Sequence, residues 1–456
     1  MTYRGKKIAV LGLARSGMAA AKLLLMAGAD VYVSDAADNA ILRDRAKELK
    51  RLGAKVELGG HNGSMKDAFD EVVLSPGVPT DIPLLLWYKS NNPTMPIISE
   101  IELAYRFAKG AIVGITGSNG KSTTISMAGA LFLEGGFDTE VVGNIGKPMS
   151  EVVMESSEKT ILCVELSSFQ LEMIDNFRPK VACMLNLTPD HLDRHYTEKS
   201  YFSAKERIFE NQTVEDYAVL NYDDTNVKAL AADIHAQILW FSNGEHSEAG
   251  VFARNGNIIS RGLDGVEREI MPTKKLNLPG GHNLANACAA VACTLPFEIQ
   301  SKSIAQGFAK FAGLPHRLEN VGEFSGVRFI NDSKATNVDS LECALRSFDE
   351  KVVLIAGGYD KGADFSPLKN LVAERVKHVV LIGATAGKID SDWNNAVERE
   401  RAANLEDAVS MAFEAAKPNG IVLLAPGCAS YDMFDNFECR GEKFAEIVRN
   451  LIKRLK

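Results

Sequence analysis

Residues 112–123 read IVGITGSNGKST, and no other stretch constrains the fold of this chain as strongly. An apolar run predicts a strand, Gly117 and Gly120 predict a tight loop, and Lys121 with Ser122 opens a helix. Glycines let backbone N–H groups approach phosphate oxygens closely, and the helix N-terminus adds partial positive charge at that point. In such a loop the lysine reaches the β- and γ-phosphates and the serine hydroxyl binds Mg²⁺. The full phosphate-loop pattern has a glycine five residues before Gly120; Ile115 stands there, so the loop is a shortened variant. A strand–loop–helix of this kind belongs to a parallel sheet with crossover helices.

The rest of the chain carries the same alternation. Strands are predicted over 7–11, 30–34, 55–58 and 71–74, with helical periodicity over 16–27. Proline and asparagine cluster at 91–96 ahead of a helical stretch at 100–109, which places a boundary near Gly110. Strands at 111–115, 160–165 and 181–186 follow. The stretch 237–277 is rich in short β signals and turns, a small-residue helix starts near His282, and a second boundary falls at 313–314. Apolar strands at 352–356, 378–382 and 421–424 belong to a third unit. At about 100–200 residues per domain, 456 residues allow two to four domains. The expected fold class is α/β with three domains in series, 1–109, 110–313 and 314–456, the outer two Rossmann-like and the central one of phosphate-loop ATPase type.

Composition excludes several classes. Lys+Arg number 51 against 59 Asp+Glu, a net charge of −8, and no basic footprint for a nucleic acid is visible. Local loops can still bind a small anion against that global sign. The seven cysteines are scattered without CxxC or other metal-ligand spacing, which predicts buried free thiols and a reducing compartment. The opening MTYRGKKIAVLG runs straight into a strand without the apolar stretch and cleavage site of a signal peptide. No run of about 18 apolar residues is present to span a membrane. The expectation is a cytoplasmic protein that neither inserts in membranes nor binds nucleic acid.

Further motifs sit where strands end. Gly12-Leu-Ala-Arg-Ser-Gly17 follows the first strand and Asp35 closes the second, resembling a dinucleotide fingerprint. Ala14 replaces the middle glycine, which speaks against an NAD-type dehydrogenase and leaves open a nucleotide-sugar diphosphate held more loosely. Glu165 opens ELSSFQ after a strand, where a carboxylate can hold Mg²⁺. Asp190, His191, Asp193 and Arg194 cluster after the next strand, and Lys205 lies in a helix predicted over 201–209. A non-catalytic ATP-binding switch would need the phosphate loop but not this cluster. In the third unit GLPHR ends at Arg317, and NDSKATN (331–337), AGGYDKGADF (356–365) and PGCASYDMFDNF (426–437) are polar loops after strands. Such loops tend to line one crevice.

Taken together, GSNGKST, ELSSFQLE, NLTPDHLDRH, the GxHNxxN of residues 280–286, GLPHR, NDSKATN and PGCASYDMFDNFE resemble the Mur ligase family, in that family's order and nearly end to end. NDSKATN and the last motif point to the D-glutamate-adding branch and away from the branches adding L-alanine, a diamino acid or a dipeptide, and from folylpolyglutamate synthase. The resemblance implies ATP-dependent addition of D-glutamate to UDP-N-acetylmuramoyl-L-alanine through an acyl phosphate, for peptidoglycan precursor synthesis, by a monomer. It implies catalytic roles for Lys121, His191 and Lys205, and an ATP site of Gly117, Ser118, Asn119, Gly120, Lys121, Ser122, Thr123, Asn283, Asn286, Arg317 and Asp332. Arg15, Ser16, Asp35, Ser75, Gly77 and Asn144 would bind the UDP substrate, and Thr336, Lys361, Ser430 and Phe437 would bind D-glutamate. Mg²⁺ would be held by Ser122, Glu165, His191 and Lys205, the last as a carbamate formed with CO₂. The three domains would then bind, in order, the UDP substrate, ATP, and the amino acid with part of ATP.

Overall fold

The computed structural model describes residues 3–61, 63–66, 68–276, 278, 280–311 and 313–455. Among them the chain builds three sheets, held in two compact units: Met1–Lys275 with Ala285–Lys310, and Leu276–Leu284 with Phe311–Lys456.

The first sheet contains β1 (Lys7–Leu11), β2 (Asp30–Asp35), β3 (Lys55–Leu58), β4 (Glu71–Leu74) and β5 (Ile97–Ser99). Its order is β3-β2-β1-β4-β5, with every pairing parallel. Parallel strands need helical crossovers, so central strands are covered on both faces and read as apolar runs; β4 is buried throughout. The order reverses between β1 and β4, and the loops leaving these two strands flank the crevice where α/β sheets bind ligands.

The second sheet, in the same unit, has β6 (Ala111–Thr116), β7 (Asp138–Gly143), β8 (Thr160–Glu165), β9 (Val181–Met184), β10 (Tyr217–Asn221), β11 (Gln237–Ser242), β12 (Gly250–Arg254), β13 (Asn257–Arg261) and β14 (Glu267–Pro272). The order is β14-β13-β12-β11-β10-β9-β6-β8-β7, parallel from β7 to β12 and antiparallel beyond. The helix Lys121–Glu134 after β6 buries Ile125, Met127, Ala128, Leu131 and Phe132 between the sheet and the helix Ser301–Lys310.

The short helix Glu100–Tyr105 ties these two sheets together. Ser99 caps it, accepting a hydrogen bond from the Glu102 N–H. Glu100 Oε1 accepts the Ser150 N–H at 2.7 Å. Glu102 Oε2 accepts the N–H groups of Asp175, Asn176 and Phe177 at 2.9, 3.0 and 2.8 Å, while Oε1 takes Arg106 Nε at 3.1 Å. Filled lone pairs make the buried Glu102 carboxylate tolerable, whereas Glu100 Oε2 finds no hydrogen-bond partner among the described residues and burial raises that carboxyl's pKa.

The second unit holds β15 (Glu319–Phe324), β16 (Val327–Asn331), β17 (Val352–Ala356), β18 (Val376–Leu381), β19 (Glu398–Arg401) and β20 (Gly420–Leu424) in the order β15-β16-β20-β17-β18-β19. Only β15 is antiparallel. The helix Phe437–Leu455 packs on β15 and β16 with Phe444, Ile447, Val448 and Leu451 inward.

The structure shortens two predicted elements. The helix expected over 100–109 ends at Tyr105, and the strand expected over 181–186 ends at Met184. The helix expected over 201–209 begins earlier, at Glu198, and tightens to a 3-10 turn at Arg207–Phe209. Strands β7 (DTEVVG) and β19 (ERER) were not anticipated: both are sheet edges whose charged residues show no apolar pattern. All seven cysteines are free thiols, five of them buried. Among the described residues no helix is long and apolar enough to cross a membrane.

Candidate active site

The phosphate loop leaves the end of β6 and enters the helix Lys121–Glu134. Gly120 has φ 86°, and a Cβ there would come within 2.5 Å of Asn286 Oδ1, so only glycine fits. Asn186, just past β9, braces the loop: its Oδ1 accepts the Asn119 N–H at 2.8 Å and its Nδ2 donates to Asn119 O at 3.0 Å. Ser118 Oγ donates to Thr188 O at 2.7 Å. Lys121 Nζ donates to Gly117 O and Ser118 O at 2.8 Å each, which holds the ammonium over the loop. Ser122 and Thr123 are buried in the first helical turn. Asn286 also lies here, its Oδ1 accepting from Thr124 Oγ1 at 3.1 Å.

Two further groups close around this loop. Glu165 ends β8; its Oε1 accepts from Asn144 Nδ2 at 2.8 Å, while its buried Oε2 has no hydrogen-bond partner among the described residues. Lys205 is 1% exposed and donates to Gly117 O at 2.8 Å and Thr116 Oγ1 at 3.4 Å, with its Nζ 4.8 Å from the Tyr201 ring centroid. Burial, reinforced by the Lys121 charge, pushes the Lys205 pKa well below the usual lysine value; Asp190 and Glu165 oppose this. The ammonium form is therefore disfavoured at this position.

His191 is exposed at the rim, at φ 52°, with Nε2 3.7 Å from Asp190 Oδ2 and its ring 5.1 Å from that of Phe169. His195, four residues on, is the buried one: its Nε2 lies 2.9 Å from Ser168 Oγ and its Nδ1 3.4 Å from Glu172 Oε1. Arg194 donates to Glu172 Oε2 at 2.9 Å and to Val78 O at 3.1 Å. The Asp193 side chain lies outside the described residues.

Among the described residues no three His, Cys, Asp or Glu side chains converge into a metal cage. Mg²⁺ does not need one: it usually takes one or two carboxylates and fills its octahedron with water and phosphate oxygens. The orphaned Oε2 of Glu165 is a ligand of the right hardness at the right strand end.

Beside this group lies a cavity of about 430 Å³. Arg15 and Ser16 after β1, Asp35 after β2 and Ser75 and Gly77 after β4 line one wall; Asn144, Pro148 and Gln170 line the other. The six residues assigned to the UDP substrate thus meet in one cleft. Asp35 also holds the turn itself, accepting the N–H groups of Leu13 at 2.7 Å and Ala37 at 2.9 Å. Arg15 reaches across to Gly146 O at 3.1 Å. Asn144 belongs both to this cavity and, through its bond to Glu165, to the phosphate-loop group.

In the second unit, Asp332 is buried and its Oδ1 accepts the Leu318 N–H at 3.2 Å. Burial raises its carboxyl to about 6, against the pull of Arg317 and of that N–H. Asn283 is buried in the first turn of the helix Gly281–Thr294. The residues expected to bind D-glutamate sit on loops that hydrogen bonds bind together: Gly427 N–H to Ala335 O at 2.8 Å, Gly357 N–H to Pro426 O at 2.9 Å, and Tyr359 N–H to Ala429 O at 2.9 Å. Ser333 Oγ donates to Phe437 O at 2.9 Å. Thr336, Ser430 and Phe437 are gathered by these contacts, and Lys361 lies exposed on the β17 loop.

Sequence reasoning did not single out Asn186, Tyr201, Gln170 or Arg440. The first three lay in or beside the quoted motifs, but only the folded loops give them partners.

Comparison with known proteins completes this picture. Residues 6–95 match the Mur ligase MurD-like N-terminal domain, 115–294 the Mur ligase middle domain, and 316–428 the Mur ligase glutamate ligase domain. The chain belongs to the Mur ligase family, and is an ATP-dependent ligase. It is 46% identical over 451 residues to the UDP-N-acetylmuramoylalanine--D-glutamate ligase of Geotalea uraniireducens, covering 99% of both chains. It is 43% identical to the protein of that name from Clostridioides difficile, covering 99% of this chain and 100% of the other. Solved structures share the fold at lower identity. MurF ligase from Thermotoga maritima in complex with ADP superposes with a TM-score of 0.62 at 14% identity, over 94% of this chain and 96% of that one. UDP-N-acetylmuramate-alanine ligase MurC from the same organism gives 0.61 at 18%, over 98% and 100%.

Proposed function

We propose that this enzyme joins D-glutamate to UDP-N-acetylmuramoyl-L-alanine with hydrolysis of ATP to ADP and phosphate, in the building of peptidoglycan precursors. The observation that carries the reading is Asn144: it lines the cavity beside the N-terminal turn and donates to Glu165 next to the phosphate loop. A nucleotide-sugar substrate lying in that cavity has its free carboxylate directed toward the ATP γ-phosphate.

The substrate carboxylate attacks the γ-phosphorus, the bond to the β-bridging oxygen breaks and ADP leaves. The amine of D-glutamate then attacks the acyl carbon; loss of a proton and of inorganic phosphate leaves the amide. Little covalent chemistry falls to the protein, which positions the groups and stabilises charge. Gly117, Ser118, Asn119, Gly120 and Thr123 offer the loop to the phosphates, and Lys121 supplies the nearest cation. Asn283, Asn286, Arg317 and Asp332 hold the nucleotide. Arg15, Ser16, Asp35, Ser75 and Gly77 hold the UDP moiety, and Thr336, Lys361, Ser430 and the backbone at Phe437 hold the amino acid. Ser122, Glu165 and His191 would hold Mg²⁺, which supplies charge neutralisation on the phosphates when bound.

Lys205 is read as a carbamate: its neutral amine adds to CO₂ and releases a proton, leaving an anion beside Glu165. Its burial and depressed pKa support this reading. The three-domain division, with UDP substrate, ATP and amino acid assigned in order along the chain, belongs to the same proposal, as do a cytoplasmic setting and a monomeric state.

The test is phosphate release from ATP in the presence of UDP-N-acetylmuramoyl-L-alanine and each candidate amino acid. D-glutamate should support turnover. L-glutamate should be very poor, because inversion exchanges the directions of amine and carboxylate. Equal use of both enantiomers would sink the assignment.

A further inference from the structure

Arg440 is one of the largest side chains buried in the whole chain, at 1% exposure, and it forms no ion pair among the described residues. Its Nε donates to Ser333 Oγ at 2.9 Å. Its Nη2 donates to Ser333 O at 2.8 Å and Cys428 O at 3.1 Å, and its Nη1 to Ala429 O at 3.3 Å. A Cβ at Gly358 would meet Nη1 at 3.2 Å, so the β17 loop rests on the same guanidinium. One side chain from the helix Phe437–Leu455 therefore sits beneath the loops after β16, β17 and β20, which carry Thr336, Lys361 and Ser430.

Burying a cation is costly, and carbonyl dipoles solvate the charge without neutralising it. The opposing groups that lie near are Asp432 and the Cys428 thiol; Asp432 is itself engaged by the Ala384 N–H at 2.9 Å. Burial lowers the Arg440 pKa only to about 10, so the group stays charged at neutral pH. The carbonyl of Ala429 belongs to the same peptide as the Ser430 N–H. A guanidinium on that oxygen polarises the amide and strengthens it as a donor to an anion. Among the described residues no carboxylate comes within ion-pairing distance of this buried positive charge.

We propose that Arg440 is a positioning and specificity-determining residue of the acceptor pocket, whose buried, unpaired charge beneath these loops makes the pocket select an amino acid with a second carboxylate. The inference rests on the proposed function, since it supposes that these loops take the acceptor. It assigns Arg440 no contact with the reacting atoms.

The experiment compares kcat/KM for D-glutamate and for D-glutamine, the isostere lacking the second charge, in the full-length enzyme. In Arg440→Met the preference for D-glutamate should fall by about tenfold or more, chiefly through KM for D-glutamate, the size expected for one charge-assisted contact. KM for ATP and for the UDP substrate should stay within about twofold, as both are held by other residues. Arg440→Lys keeps the charge but reaches fewer of the carbonyls, and its preference should fall by about threefold. If Arg440→Met does not fold, the lysine variant decides. A uniform loss on both acceptors, or an unchanged preference, would show that Arg440 only holds the loops and would overturn the inference. Wild-type enzyme that does not turn over D-glutamate would overturn the proposed function, and this inference with it.

Discussion

Lys205 shows how much a residue's role depends on what surrounds it. In sequence it is one lysine in a polar helical segment, and most such lysines are solvated. In the structure it is buried against Gly117 O, beside Lys121, with its pKa driven down by desolvation and by that second ammonium. A neutral amine at this place can take up CO₂. Lys205→Ala should therefore lose nearly all ligase activity and regain part of it with short-chain carboxylic acids, which place an anion in the vacated volume. Wild-type enzyme depleted of CO₂ should recover on addition of bicarbonate. An alanine variant with full activity and no response to carboxylates would mark the residue as structural only. His191 makes the opposite point: the motif draws attention to it, yet it stands exposed at the rim while His195 takes the buried position.

At the scale of elements, the helix Glu100–Tyr105 has the least conspicuous sequence and a large share of the tertiary burden. Its two carboxylates reach Ser150 and the 175–177 backbone, so it sets the spacing between the sheet that carries Arg15 and Asp35 and the sheet that carries Glu165. Glu102→Gln keeps the shape but cannot serve three N–H donors and Arg106 together. The cost should be about 3 kcal/mol, the scale for a broken buried charged network, read as a lower urea midpoint. Because the cavity proposed for the UDP substrate draws on both sheets, KM for that substrate should rise more than KM for ATP. A variant with unchanged stability and unchanged KM values would show that the two sheets are held by apolar packing alone.

For the whole molecule, two compact units imply that unfolding is not a single cooperative event. Calorimetry should resolve two transitions. UDP, proposed to bind in the cavity lined wholly by residues of the larger unit, should raise only that unit's transition, by about 2.7 kcal/mol at a hundredfold excess over Kd. One transition, or an equal shift of both, would contradict this independence.

Much of the site was legible in the sequence because phosphate chemistry demands particular residues at short spacing. Gly117, Gly120, Lys121 and Ser122 lie within one loop, and local backbone geometry alone fixes their relation. The strands β1, β4, β8 and β17 were legible for a similar reason: central parallel strands are apolar on both faces. Edge strands such as β7 and β19 were not, since their charged residues serve solvent rather than core. Spacing also could not give the partners of Asn186, Asn144 or Arg440, which lie 67, 21 and 107 residues from Asn119, Glu165 and Ser333. The sequence by itself determined the local motifs, the α/β alternation and the family likeness, because each depends on neighbours along the chain. Only the tertiary structure decided which lysine has its pKa driven down, which histidine is buried and which arginine is buried without an ion pair, because desolvation and charge pairing are set by groups that meet only after folding.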